Sequence, residues 1–144
     1  MIIAVDFDGT IVEHRYPAIG KEMFFAFETL KALQKDGHQL ILWTYRNGDC
    51  LEEAIDYCRK NGVEFFAVNA SYPGEVMDGS ISRKVHADMF IDDRNFGGFP
   101  GWGVIYQTIS GDHPSETNEY WKKYEQANDK TLCGFLKRIF CRDR

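Results

Sequence analysis

The chain begins with a short apolar segment that runs directly into two aspartates. Residues 1–5, MIIAV, are followed by Asp6-Phe7-Asp8-Gly9-Thr10. An apolar run of this length that ends at a glycine turn predicts a buried strand of a parallel sheet. Ligands of open α/β sheets bind in the crevice beyond the carboxyl ends of the strands. Asp6 and Asp8 are therefore candidates for a site where a cation or a shared proton relieves their repulsion. The alternative is a strand that ends in an acidic surface turn.

Length and composition limit the classes of protein to consider. The chain has 144 residues, which predicts one domain spanning 1–144 because domains average roughly 150 residues. Its 44% hydrophobic and 27% charged residues are typical of a soluble globular protein. The net charge of −5 gives no electrostatic support for a nucleic-acid partner. No segment resembles a signal peptide or is long enough to span a membrane, so we expect a cytoplasmic protein.

Cysteine spacing points to the same compartment. The four cysteines show no CxxC pair, and two of them, Cys50 and Cys58, fall in one predicted helix. We expect reduced thiols rather than disulfides or metal ligands.

Apolar periodicity predicts strands alternating with helices. Phe24 and Phe25 widen the apolar face of the first helix, which suggests packing on a sheet. Asp49 and Glu52 resemble a capping pair at the start of the second. The predicted helices are 21–36, a second from Asp49 to Asn61, and a last one opening at Pro114 or Ser115; the predicted strands are 1–5, 39–43, 64–68, 89–91 and 103–109. This alternation predicts an α/β fold, a parallel sheet with helices on both faces.

Polar residues follow three of these strands. Asp6 and Asp8 follow the first, Thr44 the second, and Asp92-Asp93 the strand 89–91. The carboxyl ends of parallel strands share one edge of a sheet, so we expect these side chains to lie together.

These residues, in this order, resemble the motifs of the haloacid dehalogenase (HAD) superfamily. DFDGT (residues 6–10) looks like motif I, Thr44 like motif II and Asp92-Asp93 like motif IV. Lys84 is the best candidate for motif III, with Arg83 as its rival. The resemblance covers residues 1–110 and is nearest to small uncharacterised bacterial and phage members. It implies a Rossmann-like fold and phosphoryl transfer through an aspartyl-phosphate.

The resemblance also implies roles for single residues. Asp6 would be the nucleophile, and Asp8 would protonate the leaving group and then activate water. Members without the second aspartate are dehalogenases or phosphonatases, so Asp8 favours a phosphatase or a phosphotransferase. Thr44 would bind phosphoryl oxygens, and Lys84 would offset negative charge.

The resemblance further implies a Mg²⁺ cofactor and contacts to a phosphorylated substrate. Mg²⁺ prefers hard oxygen ligands. The Asp6 carboxylate, the Asp8 carbonyl and Asp93 would hold it, with Asp92 as a further ligand or a supporting residue. The residues expected to contact substrate are Gly9, Thr10, Tyr45, Arg46 and Asn47.

Larger HAD members carry a cap domain, for which this chain has no room. The site should therefore be open, and roofed only by a flap of residues 11–20 and by the loop 69–82. His14, Arg15 and Arg94 also lie next to motif positions. Arg46 and Arg94 could bind a second anionic group; the alternative for each is surface charge near the mouth of the site.

The region after the core (residues 1–112) is predicted to be a helical tail, 113–144. Residues 130–144 carry five basic residues and one acidic residue, with an apolar stripe at helical spacing. The stripe would pack on its own domain, or contact a protein partner or an anionic membrane surface. This tail supports an alternative function, a catalytically weak binding or scaffold protein on the same fold.

Overall fold

A computed structural model of the chain describes residues 1–111. The predicted last helix and the basic tail lie outside the described residues. The chain divides into two compact units, Met1–Tyr106 and Gln107–Arg144. The first unit contains all the predicted motif residues.

An all-parallel sheet of four strands forms the centre of the first unit. The strands are β1 (Ile2–Val5), β2 (Gln39–Leu42), β3 (Ala67–Val68) and β4 (Met89–Ile91). Their order is β3-β2-β1-β4. The chain thus extends the sheet in one direction from β1 to β3 and then crosses to the other side of β1. The strand order reverses between β1 and β4, and such a switch point is where the crevice of an open parallel sheet lies.

The register of β1 with its two neighbours aligns the ends of the three strands. Val5 pairs with Leu42 of β2 and with Ile91 of β4. Beyond the strand, the Asp6 amide donates to the Ile91 carbonyl at 2.9 Å. The residues that follow β1 and β4 therefore leave the sheet side by side.

The central strand, β1, is buried because it lies between β2 and β4 and because other residues pack on both faces of the sheet. Ile3, Ala4 and Val5 are at most 1% exposed. On one face, Ala4 packs with Ile41, Ala67 and Val85. This cluster contains no helical residue from the described part of the chain, so the expectation of helices on both faces stays a prediction.

Three helices accompany the sheet: α1 (Ala26–Lys35), α2 (Gly48–Lys60) and α3 (Trp102–Ser110). Phe27 of α1 and Tyr57 of α2 contact each other, with ring centroids 5.7 Å apart. The two helices therefore meet at these side chains. Within residues 1–111, no helix combines the length and the apolar character needed to cross a membrane.

The beginnings of α1 and α2 differ from the predictions. Helix α1 begins at Ala26 rather than at residue 21, because Phe25 takes a left-handed conformation with φ of 65°. Phe24 and Phe25 are 81% and 51% exposed, so they do not pack on the sheet. At α2 the N-cap is Asn47, without a side-chain capping bond, and not the predicted Asp49 pair.

The predicted fifth strand, 103–109, is wrong because this segment is the helix α3. Trp102, Val104 and Ile105 are its buried residues. Periodicity alone cannot separate a strand from a buried helix in so short an apolar run. The sheet therefore has four strands in the described part of the chain, and β3 is shorter than the predicted 64–68.

Candidate functional site

A cleft of about 550 Å³ opens at the carboxyl ends of β1, β2 and β4. Its polar lining consists of Asp6, Asp8, His14, Thr44, Asp92, Asp93 and Arg94. The prediction that the polar strand ends meet at one edge of the sheet is confirmed by this lining. The cleft lies at the switch point between β1 and β4.

Three carboxylates converge at the base of the cleft. One oxygen each from Asp6, Asp92 and Asp93 lie within 4.8 Å of one another. Burial raises the pKa of Asp6 to about 7; a hydrogen bond from the Phe7 backbone opposes this rise, and the nearby negative charges add to it. This cluster is strained by like charge, and a cation would relieve it.

A buried carboxylate oxygen in the cluster has no hydrogen-bond donor. Oδ1 of Asp93 is buried and accepts no hydrogen bond among the described residues; the cationic Arg94 side chain places its Nε 3.7 Å away. The other oxygen, Oδ2, lies 3.2 Å from Nε2 of His14. Buried carboxylate oxygens are normally satisfied, so the orphaned oxygen and the hard-oxygen donor set fit a divalent cation such as Mg²⁺.

Gly9 allows the loops after β1 and β4 to approach each other. Its φ of +93° favours glycine. A Cβ at this position would lie 2.7 Å from Cγ of Asp93 and 2.8 Å from Cδ2 of His14. Gly9 was predicted to contact substrate, and its clearest property here is this close approach of backbone to side chain.

Thr10 joins the two acidic loops from within the protein. It is fully buried. Its hydroxyl accepts a hydrogen bond from the Asp93 amide at 3.0 Å and donates to Oδ2 of Asp6 at 3.4 Å. Its carbonyl accepts from the indole N–H of Trp102 at 2.9 Å. Thr10 was also predicted to contact substrate; the structure places it beneath the cleft, where it positions Asp6 and Asp93.

Arg46 is a buried cation paired with Asp8. Its Nε and one terminal nitrogen donate to the two Asp8 oxygens, each at 2.7 Å. Its terminal nitrogens also donate to the carbonyls of Pro17 and Ala18 at 2.9 and 2.8 Å. The guanidinium is 1% exposed, and the hydrogen bonds to Asp8 raise its pKa.

These contacts correct the prediction that Arg46 binds a second anionic group. The side chain is enclosed between Asp8 and the flap, and it does not line the cleft. Its partners lie 28 to 38 residues away in sequence, so no local pattern could have identified them.

Residues after β2 divide between the cleft and the surface. Thr44 lines the cleft; its amide donates to Oδ1 of Asn69 at 2.8 Å, and its hydroxyl accepts from the Arg46 amide at 3.2 Å. Tyr45 also lines the cleft. Asn47 is exposed at the start of α2 and is not part of the lining. Asn69, which fixes Thr44, had no signal in the sequence beyond its place after a strand.

Neither candidate for motif III lines the cleft. Lys84 is exposed, and its Nζ lies 5.2 Å from the centre of the Phe90 ring. Arg83 is also exposed. The prediction that Lys84 or Arg83 supplies a cation to the site is therefore not supported by the described residues. The basic side chains that line the cleft there are Arg94 and His14.

Aromatic residues complete the lining, and the sequence had singled out only Tyr45. Tyr16, Trp43 and Tyr45 form this part of the cleft. Tyr16 belongs to the flap, and Trp43 directly follows β2. The sequence does not predict that Tyr16 and Trp43 line the cleft, because this depends on how the flap folds over the strand ends.

The fold and the site together define a parallel α/β protein with an acidic cleft at its topological switch point. The chain is similar to a solved structure of a conserved protein from Bacteroides thetaiotaomicron, with 59% identity and a TM-score of 0.74. The similarity covers 78% of this chain and 92% of that one. The chain therefore belongs to the same family as this Bacteroides protein. No protein-family model matches the chain, and no curated protein does.

Proposed function

We propose that this protein is a Mg²⁺-dependent phosphohydrolase of the HAD type that acts on a phosphomonoester. The observation that carries the proposal is the cluster of Asp6, Asp92 and Asp93 at the switch point, with a buried oxygen on Asp93 that lacks a hydrogen-bond donor among the described residues. The motif resemblance supplies the reaction class, and the cleft supplies an open place for substrate.

In the proposed reaction, a carboxylate oxygen of Asp6 attacks the phosphorus of the ester. A bond forms between Asp6 and phosphorus, the bond from phosphorus to the leaving oxygen breaks, and that oxygen takes up a proton. Water then attacks the phosphorus of the aspartyl-phosphate, which releases inorganic phosphate and restores Asp6. The proton released by this water goes to a base.

Asp8 is the proposed acid and then the base of these two steps, because its side chain lines the cleft beside Asp6. Both of its oxygens accept hydrogen bonds from Arg46. Each carboxylate oxygen keeps a second lone pair, so Asp8 can take up and release a proton while both bonds to Arg46 remain. Arg46 would act as a positioning residue that keeps Asp8 on the substrate side of the flap.

Asp6, Asp92, Asp93 and the Asp8 carbonyl would hold Mg²⁺. When bound, the ion would polarise the phosphoryl group and offset the charge of the carboxylates. Thr44 can donate its hydroxyl proton to a phosphoryl oxygen, since this hydroxyl accepts a bond from the Arg46 amide. Arg94 is a second candidate contact because it lines the cleft with 77% of its side chain exposed.

The test is a phosphatase screen with and without millimolar Mg²⁺. We expect release of phosphate that depends on Mg²⁺ and is abolished in Asp6→Asn. The matched control is Asp56→Asn, since Asp56 is an exposed aspartate on α2 outside the cleft. Phosphate release in a folded Asp6→Asn protein at the wild-type rate would remove Asp6 from the mechanism.

A further inference from the structure

Three aromatic residues line the cleft. Tyr16, Trp43 and Tyr45, here called the aromatic wall, line the same space as the carboxylates. The Tyr45 side chain is 90% exposed and that of Tyr16 is 52% exposed. Single exposed aromatic residues are common on proteins, but three that line one cleft together with an acidic cluster make a surface suited to a particular ligand.

The buried Arg46 holds the two segments of this wall together. It donates to the carbonyls of Pro17 and Ala18 in the flap, directly after Tyr16. Its guanidinium carbon also lies 5.4 Å from the centre of the Tyr16 ring. Tyr45 immediately precedes Arg46 in the chain. Arg46 therefore fixes the backbone of both segments before ligand arrives, which removes part of the entropic cost of binding.

Trp43 fixes the inner part of the wall. It packs against the core cluster beneath the sheet edge, and its amide donates to the Val5 carbonyl at 2.8 Å. The wall thus runs from the rigid strand ends, next to Asp6, to the exposed ring of Tyr45. A ligand in the cleft can therefore contact the carboxylates and these aromatic residues at the same time.

We infer that the aromatic wall binds a planar ring of the substrate, so that the substrate class is a phosphate ester bearing such a ring, either an aryl phosphate or a nucleotide. The binding of a planar ring does not depend on the proposed function. Only the statement that the ring-bearing ligand is a phosphate ester rests on it. Planar rings stack on aromatic side chains with little dependence on ring identity. A cleft of about 550 Å³ has room for a ring and a phosphate group.

The test measures binding rather than turnover, by calorimetry with phosphonates that cannot be hydrolysed. Wild-type protein with millimolar Mg²⁺ is titrated with benzylphosphonate, with the 5′-phosphonate analogue of adenosine and with propylphosphonate. We expect at least one ring-bearing compound to bind about tenfold more tightly than propylphosphonate, a gain within the usual range for one stacked ring. Tighter binding of the adenosine compound indicates a nucleotide, and tighter binding of the benzyl compound an aryl phosphate.

Variants connect this preference to the wall. Tyr45→Ala should remove most of the preference and Tyr45→Phe should keep it, because stacking needs the ring and not the hydroxyl. Tyr72→Ala is the matched control, since Tyr72 is 54% exposed and outside the cleft lining. Tyr45 is so exposed that its replacement should leave the melting temperature unchanged, which verifies that the variant folds.

The outcomes separate this inference from the proposed function. Equal binding of all three compounds, no binding of any, or a ring preference that survives both Tyr45→Ala and Tyr16→Ala overturns the aromatic wall as a ring site. Turnover of simple phosphate esters without a ring preference leaves the phosphatase proposal intact and overturns only the wall. Ring-dependent binding without turnover of any ester supports the wall and contradicts the phosphatase.

Discussion

Arg46 donates to both carboxylate oxygens of Asp8, at 2.7 Å each, from a position that solvent hardly reaches. The pair joins the segment after β2 to the segment after β1. The remaining donors of Arg46 reach the flap, so one buried side chain connects three parts of the site. Its removal would leave a buried carboxylate and two flap carbonyls without their donors.

We therefore expect Arg46→Ala to lower the free energy of unfolding by about 3–5 kcal/mol, the usual cost of breaking a buried ion pair from one side. The measurement is urea denaturation followed by circular dichroism. Arg59→Ala is the control, because Arg59 pairs with Asp56 at the surface with 59% of its side chain exposed. The free energy of unfolding of that control should fall by less than about 1 kcal/mol. Similar losses in both variants would contradict the special position of Arg46.

Asp6→Asn should stabilise the metal-free protein, and more so at high pH. Burial raises the pKa of Asp6 from 3.8 to about 7. Between these values the folded protein binds the proton more tightly than the unfolded chain, so stability falls as pH rises. The loss of stability caused by ionised Asp6 in the folded protein is complete above pH 7 and partial at pH 5. Thermal unfolding in a chelator should therefore show a larger gain for Asp6→Asn at pH 8 than at pH 5. An equal gain at both values would contradict the raised pKa of Asp6.

Mg²⁺ should raise the melting temperature of the wild-type protein at pH 7.5, because a ligand that binds only the folded state stabilises it. Asp93→Asn should lose this response, since it removes the carboxylate whose oxygen lacks a donor. Asp56→Asn should keep it. Differential scanning fluorimetry across a Mg²⁺ titration provides the measurement. A wild-type melting temperature that does not respond to millimolar Mg²⁺ would count against the metal site.

Gly9→Ala should destabilise the protein more than Gly97→Ala. The two glycines have nearly equal φ values, +93° and +96°, so both variants carry the strain of a left-handed alanine, about 1–2 kcal/mol. Only Gly9 faces neighbours: a Cβ there would meet Asp93 and His14, whereas at Gly97 it meets nothing within 4 Å. The difference between the free energies of unfolding of the two variants measures the cost of the contacts that the added Cβ makes with Asp93 and His14. Equal losses would show that the Asp93 loop moves aside freely.

Asp8→Asn should affect esters with poor leaving groups most. General acid or base help is worth roughly 10²–10⁴ in rate, and an alkyl oxygen needs a proton more than an aryl oxygen does. Formation of the aspartyl-phosphate should slow strongly for alkyl esters and less for p-nitrophenyl phosphate. Its hydrolysis should slow for both, so phosphoenzyme should accumulate with the aryl ester. Rapid-quench measurement of protein-bound phosphate tests this. Equal slowing for both esters without accumulation would leave Asp8 a positioning residue only.

Local pattern was sufficient for the parts of the fold that have a clear period or a clear terminus. The strand before Asp6, the strand before Asp92 and the convergence of their aspartates followed from apolar runs and from the geometry of parallel sheets. The apolar residues of the segment 103–109 suit a strand as well as a helix, so their pattern alone does not predict the helix α3. Phe24 and Phe25 were assigned to a helix face because nothing local indicated the left-handed turn at Phe25.

The errors at the site have a different origin. Arg46 was interpreted as a ligand-binding cation because it follows Thr44, yet its role depends on Asp8 and on the flap carbonyls, which only the tertiary fold brings near. Thr10 is expected to contact substrate because it belongs to the DFDGT motif, whereas its buried hydroxyl bonds Asp6 and the Asp93 amide. Single-sequence reasoning identified the residues that gather at the sheet edge, but it could not distinguish those that face the cleft from those that support it.

The hydrogen bond from Trp102 to the Thr10 carbonyl gives the site an internal optical reporter. The indole is 1% exposed, and Thr10 contacts both Asp6 and the Asp93 amide. An ion or ligand that shifts either aspartate changes the field at this buried chromophore through two hydrogen bonds. In a protein whose other tryptophans, Trp43 and Trp121, are replaced by phenylalanine, emission from Trp102 would follow events at the acidic cluster without any added label.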